Sequence, residues 1–371
     1  MKISIERNAL FNSLSHVQNI VEKRNTIPIL SNILINAKES KVILSATDMD
    51  ISITESIKCS IIEEGSITTP AQTLYEIVRK ITEGNEIELI SNDGNKLSVR
   101  SGKSKFSLSC LPKDDFPKIE NQSLENEFLL DSTILKNIID KTRFAISNEE
   151  TRYYLNGIYM FIGGKDGEKQ LRAVSTDGHR LAKVEYKLSN DFKDVSGIII
   201  PKKTINEVRK LIDECDGDIR ISLDENKVIF FINNMVLSSK LIDGSFPDYE
   251  KVIPQNNDKD LLVDTKLVYE AVDRVSTVSS EKSRSVKLSI SENIISLSSN
   301  SAETGSGAED IEANYSGEKV EIGYNAKYLL EIINQIQGKK VSFKLFDSSS
   351  PSIIQDPDDD KTLYILMPMR V

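Results

Sequence analysis

Apolar positions along the chain fall into stripes with three- and four-residue steps, the spacing of a helix with one buried face. Two such stripes recur in each third of the sequence. The first third carries Leu10, Leu14, Val17 and Val21, then Leu74, Ile77, Val78 and Ile81 behind Pro70. The second carries Leu135, Ile138 and Ile139 behind Asp131, a side chain suited to cap a first turn, then Ile205, Val208, Leu211 and Ile212 behind Pro201. The third has Val268, Ala271, Val272 and Val275 behind Asp264, and Leu329, Ile332, Ile333 and Ile336 behind Asn325. This pattern predicts six helices in three pairs.

Elsewhere the period switches to two, the mark of strands. Met1-Lys2-Ile3-Ser4-Ile5 reads as a strand. Hairpins are predicted at Asn92-Asp93-Gly94, between Ile87, Leu89 and Leu97, Val99; at Asp224-Glu225-Asn226, between Ile221, Leu223 and Val228, Phe230; and at Ser291-Glu292-Asn293, between Leu288 and Ile295. The first two thirds end alike, with Phe106, Leu111 and Phe116-Pro117 matched by Val236, Leu241 and Phe246-Pro247. A repeat of this length is a whole domain. Polar linkers from Asn121 to Glu127 and from Gln255 to Lys259 place the domains at 1–122, 123–255 and 256–371, an ordinary domain size of about 120 residues each.

A hydrophobic fraction of 39% and a charged fraction of 28% are those of a soluble globular protein. No apolar run approaches the ~18 residues of a membrane span, and the first residues read as a strand and not a signal peptide, so a cytoplasmic protein without membrane contact is expected. Cys59, Cys110 and Cys215 lie in separate segments without metal-ligand spacing and are expected to be inert core thiols, with no metal or cofactor.

Catalytic chemistry is sparse. Neither His16 nor His179 sits in a metal-binding or nucleophile motif. Ser175-Thr176-Asp177-Gly178-His179-Arg180 is the one dense polar cluster, and two readings of it stand open. In one, His179 is a base oriented by Asp177, on the same strand face but without a nucleophile. In the other, Ser45-Ala46-Thr47-Asp48-Met49-Asp50 is the same feature in the first repeat, and the shared Thr-Asp is a strand-end turn. What belongs to the second repeat alone is Gly178-His179-Arg180-Leu181.

Four segments together carry a family resemblance: Arg152-Tyr153-Tyr154-Leu155-Asn156-Gly157, Thr176-Asp177-Gly178-His179-Arg180-Leu181-Ala182, Phe246-Pro247-Asp248-Tyr249 and Met367-Pro368-Met369-Arg370-Val371. In this order, on a threefold repeat, the whole chain resembles the bacterial DNA polymerase III beta subunits, the sliding clamps. Ile27-Pro28-Ile29-Leu30 and Phe106-Ser107-Leu108-Ser109 are similar to that family as well. The resemblance implies an α+β fold of three clamp-type domains, each with two helices on antiparallel sheets, closing into a ring as a head-to-tail homodimer. It implies a non-enzymatic processivity factor in DNA replication that encircles duplex DNA without regard to sequence. At the dimer interface, Phe106 would meet Thr277 and Val278 of the second copy.

By the same resemblance, a hydrophobic pocket between the second and third domains takes a short linear peptide from the polymerase III catalytic subunit, the clamp loader, other polymerases and repair proteins. Its positions here are Leu155, Thr176, Gly178, His179, Arg180, Leu181, Pro247, Val252, Ile365, Met367, Pro368, Met369 and Arg370. His179 and Arg180 would donate at the rim over an apolar floor. Lys251 and Pro351 depart from the family pattern near this pocket. Candidate DNA contacts are Arg24, Arg152, Lys202 and Lys203, with Tyr153 and Tyr154 at the ring face.

A net charge of −10 runs against a DNA partner unless the charge is segregated. The six helical stretches together sum to about +5 and the remainder to about −15, with Lys202 to Lys210 the distinctly basic part. Mild positive charge around a hole suits sliding, because each firm phosphate contact adds salt-dependent affinity that slows movement. A scaffold that binds only proteins remains the alternative if that basic face is not exposed to DNA.

Overall fold

In the computed structural model the described residues are 1–21, 26–92, 95–119, 124, 126–164, 169–188, 194–280 and 284–370. Six α-helices occur among them: α1 (Arg7–Val17), α2 (Ala71–Lys80), α3 (Ser132–Thr142), α4 (Lys202–Ile212), α5 (Thr265–Ser276) and α6 (Ala326–Ile333). Their starts follow the predicted caps. Asp131 Oδ1 accepts from the backbone N–H of Thr133 at 2.8 Å, Asp264 Oδ1 from Leu267 at 2.9 Å, and Asn325 Oδ1 from Lys327 at 3.0 Å. Three of them, α1, α2 and α6, end short of their stripes. Val21, Ile81 and Ile336 lie beyond the last helical turn, yet Ile336 is buried, so the periodicity marks a buried face that continues into the exit turn.

The chain divides into two compact units, one of residues 1–135 and 206–241, the other of 136–205 and 242–371. The first unit holds a five-stranded sheet and an eight-stranded one. The eight strands run Asn126–Asp131, Asp218–Leu223, Lys227–Ile232, Met235–Lys240, Ile51–Lys58, Lys41–Thr47, Asn32–Lys38 and Gly65–Pro70 from edge to edge. The five-stranded sheet ends in Ser104–Ser109, an edge that carries Phe106 at 41% exposure. Here α1 packs on α2, with the Phe11 and Tyr75 rings stacked at 5.5 Å. The buried Arg7 guanidinium donates to the carbonyls of Val78 and Arg79, which end α2.

The second unit repeats this plan. Its eight-stranded sheet runs Val195–Pro201, Gly157–Gly163, Gln170–Thr176, Arg180–Lys187, Thr362–Leu366, Ser352–Gln355, Lys340–Leu345 and Lys259–Asp264. Its four-stranded sheet ends in the edge strand Gly305–Glu312. Its core gathers Val268, Val272, Leu329, Ile332, Tyr324 and Tyr364. Each eight-stranded sheet thus joins strands of two consecutive repeats, through Ser239 opposite Ile51 in one and Arg180 opposite Leu366 in the other.

The hairpin registers match the sequence reading: Leu89 faces Val99, Leu223 faces Val228, and Ile290 faces Ile295. Asp93 and Gly94 of the first turn lie outside the described residues, as does most of the 121–127 linker. The cysteines need correction. Only Cys215 is buried, while Cys59 and Cys110 are half-buried, and none of the three is in a disulfide. Burial pushes the Cys59 and Cys215 thiols up, which leaves them poor nucleophiles.

Candidate functional site

Two turns, one in each of the first two repeats, share one hydrogen-bond pattern. In the first, Thr47 Oγ1 donates to the Ile51 carbonyl and accepts from Met49 N–H, while Asp48 Oδ1 accepts from the N–H groups of Asp50 and Ile51. In the second, Thr176 Oγ1 donates to the Arg180 carbonyl and accepts from Gly178 N–H, while Asp177 Oδ1 accepts from His179 and Arg180. Even the neighbouring strand is docked alike, Lys240 N–H on the Asp50 carbonyl and Met367 N–H on the His179 carbonyl, both at 2.9 Å. The Asp177 carboxylate is therefore taken up by two backbone donors and by Arg180 Nε, and it holds the His179 backbone, not its ring. This overturns the base-and-orienter reading of the pair and bears out the strand-end turn.

The turns differ in what they leave open. Met49 has φ 84° and Gly178 φ 87°, so the shape alone does not demand glycine. A Cβ on Gly178, however, would stand 2.6 Å from Nη1 of Arg152. Glycine lets the Arg152 guanidinium lie against the turn, where it is clamped by Glu149 through Nε–Oε2 at 2.7 Å and Nη2–Oε1 at 2.6 Å. Those hydrogen bonds hold the Glu149 carboxyl below its usual range. In the first repeat Met49 fills this position, and Lys240 pairs with Asp50 at 3.0 Å.

Against the second turn lies a cavity of about 310 Å³ lined by Arg152, Tyr154, Leu155, Thr176, Gly178, Arg180, Leu181, Pro247, Asp248, Tyr249, Val252, Ile365 and Met367. Its floor is the buried cluster of Val174, Leu181, Tyr249 and Ile365, backed by Tyr159, Phe161 and Phe246. The Tyr159 and Phe246 rings stack at 4.8 Å and 7°. Burial raises the pKa of the Tyr249 hydroxyl, so the floor stays neutral. A groove of about 570 Å³ between the start of α5 and the end of α6 is larger, but it is shallow and carries Asp264, Lys266, Glu270 and Lys339. The deeper, more apolar cavity is the better receptor for an apolar ligand.

Of the thirteen sequence-predicted pocket residues, nine line this cavity. His179 does not, because its ring turns away to stack on Tyr328 at 6.2 Å. Pro368, Met369 and Arg370 do not line it either. Pro368 has no N–H to continue the ladder, and Met369 N–H crosses to the Gly323 carbonyl at 2.9 Å, pinning the tail to the four-stranded sheet. Arg180 is corrected from rim donor to buried tie. At 7% exposure its Nε meets Asp177 Oδ2 at 3.1 Å, Nη2 meets the Phe144 carbonyl at 2.5 Å, and Nη1 meets Glu331. Sequence reading missed Tyr249 and Asp248 as lining, although both stand in the quoted Phe246-Pro247-Asp248-Tyr249 segment. Lys251 pairs with Asp248 at 2.9 Å, and Pro351 is not part of the lining.

The candidate DNA contacts separate. Arg152 and Tyr154 belong to the cavity wall, while Tyr153 is exposed. Lys202 is half-buried and donates to Asn148 Oδ1 at 2.7 Å, and Lys203 is half-buried. Arg24 lies outside the described residues. The basic stretch of α4 is partly neutralised, with Arg209 paired to Asp213 at 2.7 Å and Lys210 to Glu207 at 2.8 Å. At the expected interface Phe106 and Thr277 are exposed and Val278 is half-buried.

Three family models cover the chain in order: the DNA polymerase III beta subunit N-terminal domain at residues 1–120, the central domain at 129–248 and the C-terminal domain at 250–370. The chain belongs to the DNA polymerase III beta subunit family. It is 46% identical to the beta sliding clamp of Caulobacter vibrioides strain NA1000 and 35% identical to that of Escherichia coli strain K12, over all of both chains in each case. A Bartonella birtlesii sliding clamp solved with griselimycin bound superposes with a TM-score of 0.96 at 45% identity over all of both chains. A Caulobacter crescentus beta sliding clamp gives 0.97 at 46%, covering 100% of this chain and 99% of that one. Three clamp domains of mixed helix and antiparallel sheet are thus established. As a beta subunit the chain is a sliding clamp and not an enzyme, a non-catalytic part of the replicative polymerase with DNA and polymerase as its partners. Among the described residues no helix is long and apolar enough to cross a membrane.

Proposed function

We propose that this beta subunit closes with a second copy into a ring around duplex DNA and holds the polymerase III catalytic subunit by a linear peptide seated in the cavity beside Gly178. The observation that carries the reading is that cavity. One turn is built twice, and the copy with glycine at its tip opens onto an apolar receptor, while the other carries Met49 at that place. The clamp loader, other polymerases and repair proteins would compete for the same seat, and tethering would raise the effective concentration of each at the primer end.

Head-to-tail closure is supported by two edge strands of opposite character. Ser104–Ser109 carries Lys105 and the exposed Phe106, with Lys103 just before it, while Gly305–Glu312 carries Glu309, Asp310 and Glu312. Joining them would cover both edges, and a heterologous contact that closes after two copies gives a ring and not a filament. Thr277 and Val278 would then receive Phe106. Lys202, Lys203, Arg24 and Tyr153 are the DNA-facing candidates that remain, and Arg152 and Tyr154 are reassigned to the peptide. The domain limits 1–122, 123–255 and 256–371 and a cytoplasmic location complete the reading.

The test is primer extension on a primed circular template with the polymerase core and clamp loader. Adding the chain should lengthen the products, and Val252→Glu or Met367→Glu, which alter half-exposed lining residues, should remove the gain. Equal lengths with these variants would contradict a polymerase seat in this cavity.

A further inference from the structure

We propose that Glu331 of α6 is a positioning residue for the peptide seat, acting through Arg180; the inference rests on the reading of the cavity as that seat. The first-repeat turn closes through Thr47 and Asp48 with Ile51 at the place of Arg180. The turn therefore needs no arginine to form. In the second repeat the same backbone pattern carries an added fastening that the fold of the turn does not require.

That fastening begins on α6. Glu331 Oε2 accepts from Arg180 Nη1, and the Tyr328 ring, one turn earlier on the helix, lies 4.4 Å beneath the guanidinium. Arg180 Nε holds Asp177 Oδ2, whose other oxygen holds the N–H groups of His179 and Arg180. His179 stacks on Tyr328 and offers its carbonyl to Met367 N–H. Four groups of the cavity wall, Thr176, Gly178, Arg180 and Met367, are thus indexed to one carboxylate on a helix that does not line the cavity. The Arg180 fork fits these acceptors only in one orientation, so it transmits position as well as charge. Lys327 Nζ, 3.9 Å from Glu331 Oε1, is a second cation near this carboxylate.

The experiment measures binding of a fluorescein-labelled linear peptide with Leu and Phe anchors to the full-length chain by anisotropy, beside thermal melts. Glu331→Ala should raise Kd about tenfold, while Glu331→Gln, which keeps an acceptor for Arg180, should stay within about threefold of the parent. The melting temperature of Glu331→Gln should match the parent, so its affinity reads position and not unfolding. Peptide binding by the parent with equal affinity in Glu331→Ala would overturn the inference alone, as would a lower melting temperature at unchanged Kd. Failure of the parent chain to bind would remove the peptide seat and this inference with it.

Discussion

Replacing Gly178 with alanine separates the two roles that glycine plays at the turn. The backbone cost is small, because Met49 holds nearly the same φ, 84° against 87°, in the matching turn. An L residue there costs about 1 kcal/mol, or a fall of about 2–4 °C in Tm for a unit of this size. The steric cost falls elsewhere. A Cβ 2.6 Å from Arg152 Nη1 must push the guanidinium back by about 1 Å to reach an ordinary contact. The retreat is expected to loosen the two-point clamp on Glu149 and to move one wall of the cavity. A shifted wall is expected to lose about 1–2 kcal/mol of peptide binding, a rise of about 5- to 30-fold in Kd. Calorimetric titration with the peptide gives Kd, a thermal melt gives Tm, and Met49→Gly in the other turn serves as the control with unchanged affinity. Unchanged Kd in Gly178→Ala would refute the argument that glycine is there for Arg152.

His16 gives the pH prediction. Its Nδ1 lies 2.9 Å from Glu55 and its Nε2 2.9 Å from Glu214, so both nitrogens face acceptors. Burial lowers its pKa, and the bonds and charges of the two carboxylates outweigh that and leave it above 6.5. A raised folded value means stability that is whole below the unfolded value of about 6.5 and is lost as pH rises through the folded one. The Tm deficit of His16→Gln should therefore be larger at about pH 6 than at about pH 9, and a deficit that grows with pH would contradict the pairing. Phe106→Ala should loosen the dimer by about 10- to 100-fold in sedimentation, with no change if Phe106 is not in the contact. Lys202→Glu with Lys203→Glu should shorten residence on circular DNA, and an unaltered lifetime would move DNA to another face.

The helix pairs were legible in the sequence because each begins at a cap or proline and buries a continuous stripe. The ends of α1, α2 and α6 were not, since Val21, Ile81 and Ile336 prolong the stripe without prolonging the helix. In the site, Leu155, Thr176, Leu181 and Ile365 follow from the resemblance alone. Arg180 lines the cavity, but its role as a tie and not a rim donor is not legible, because its partner Glu331 is 151 residues away, a separation that no local pattern encodes. Arg152 was assigned to DNA by its charge. Its clamp on Glu149 and its seat on Gly178 emerge only once the turn is built. Pro368 correctly marked the end of the ladder, but only the Met369 bond to Gly323 fixes where the tail goes.

The central claim, topological enclosure of DNA, is tested most directly by loading the chain with a clamp loader and ATP onto nicked circular DNA and following its retention before and after the circle is cut. Retention on the circle with rapid loss from the cut ends is the predicted result. Equal retention on both would contradict enclosure and point to ordinary DNA affinity, and no retention on either would favour a scaffold that binds proteins alone.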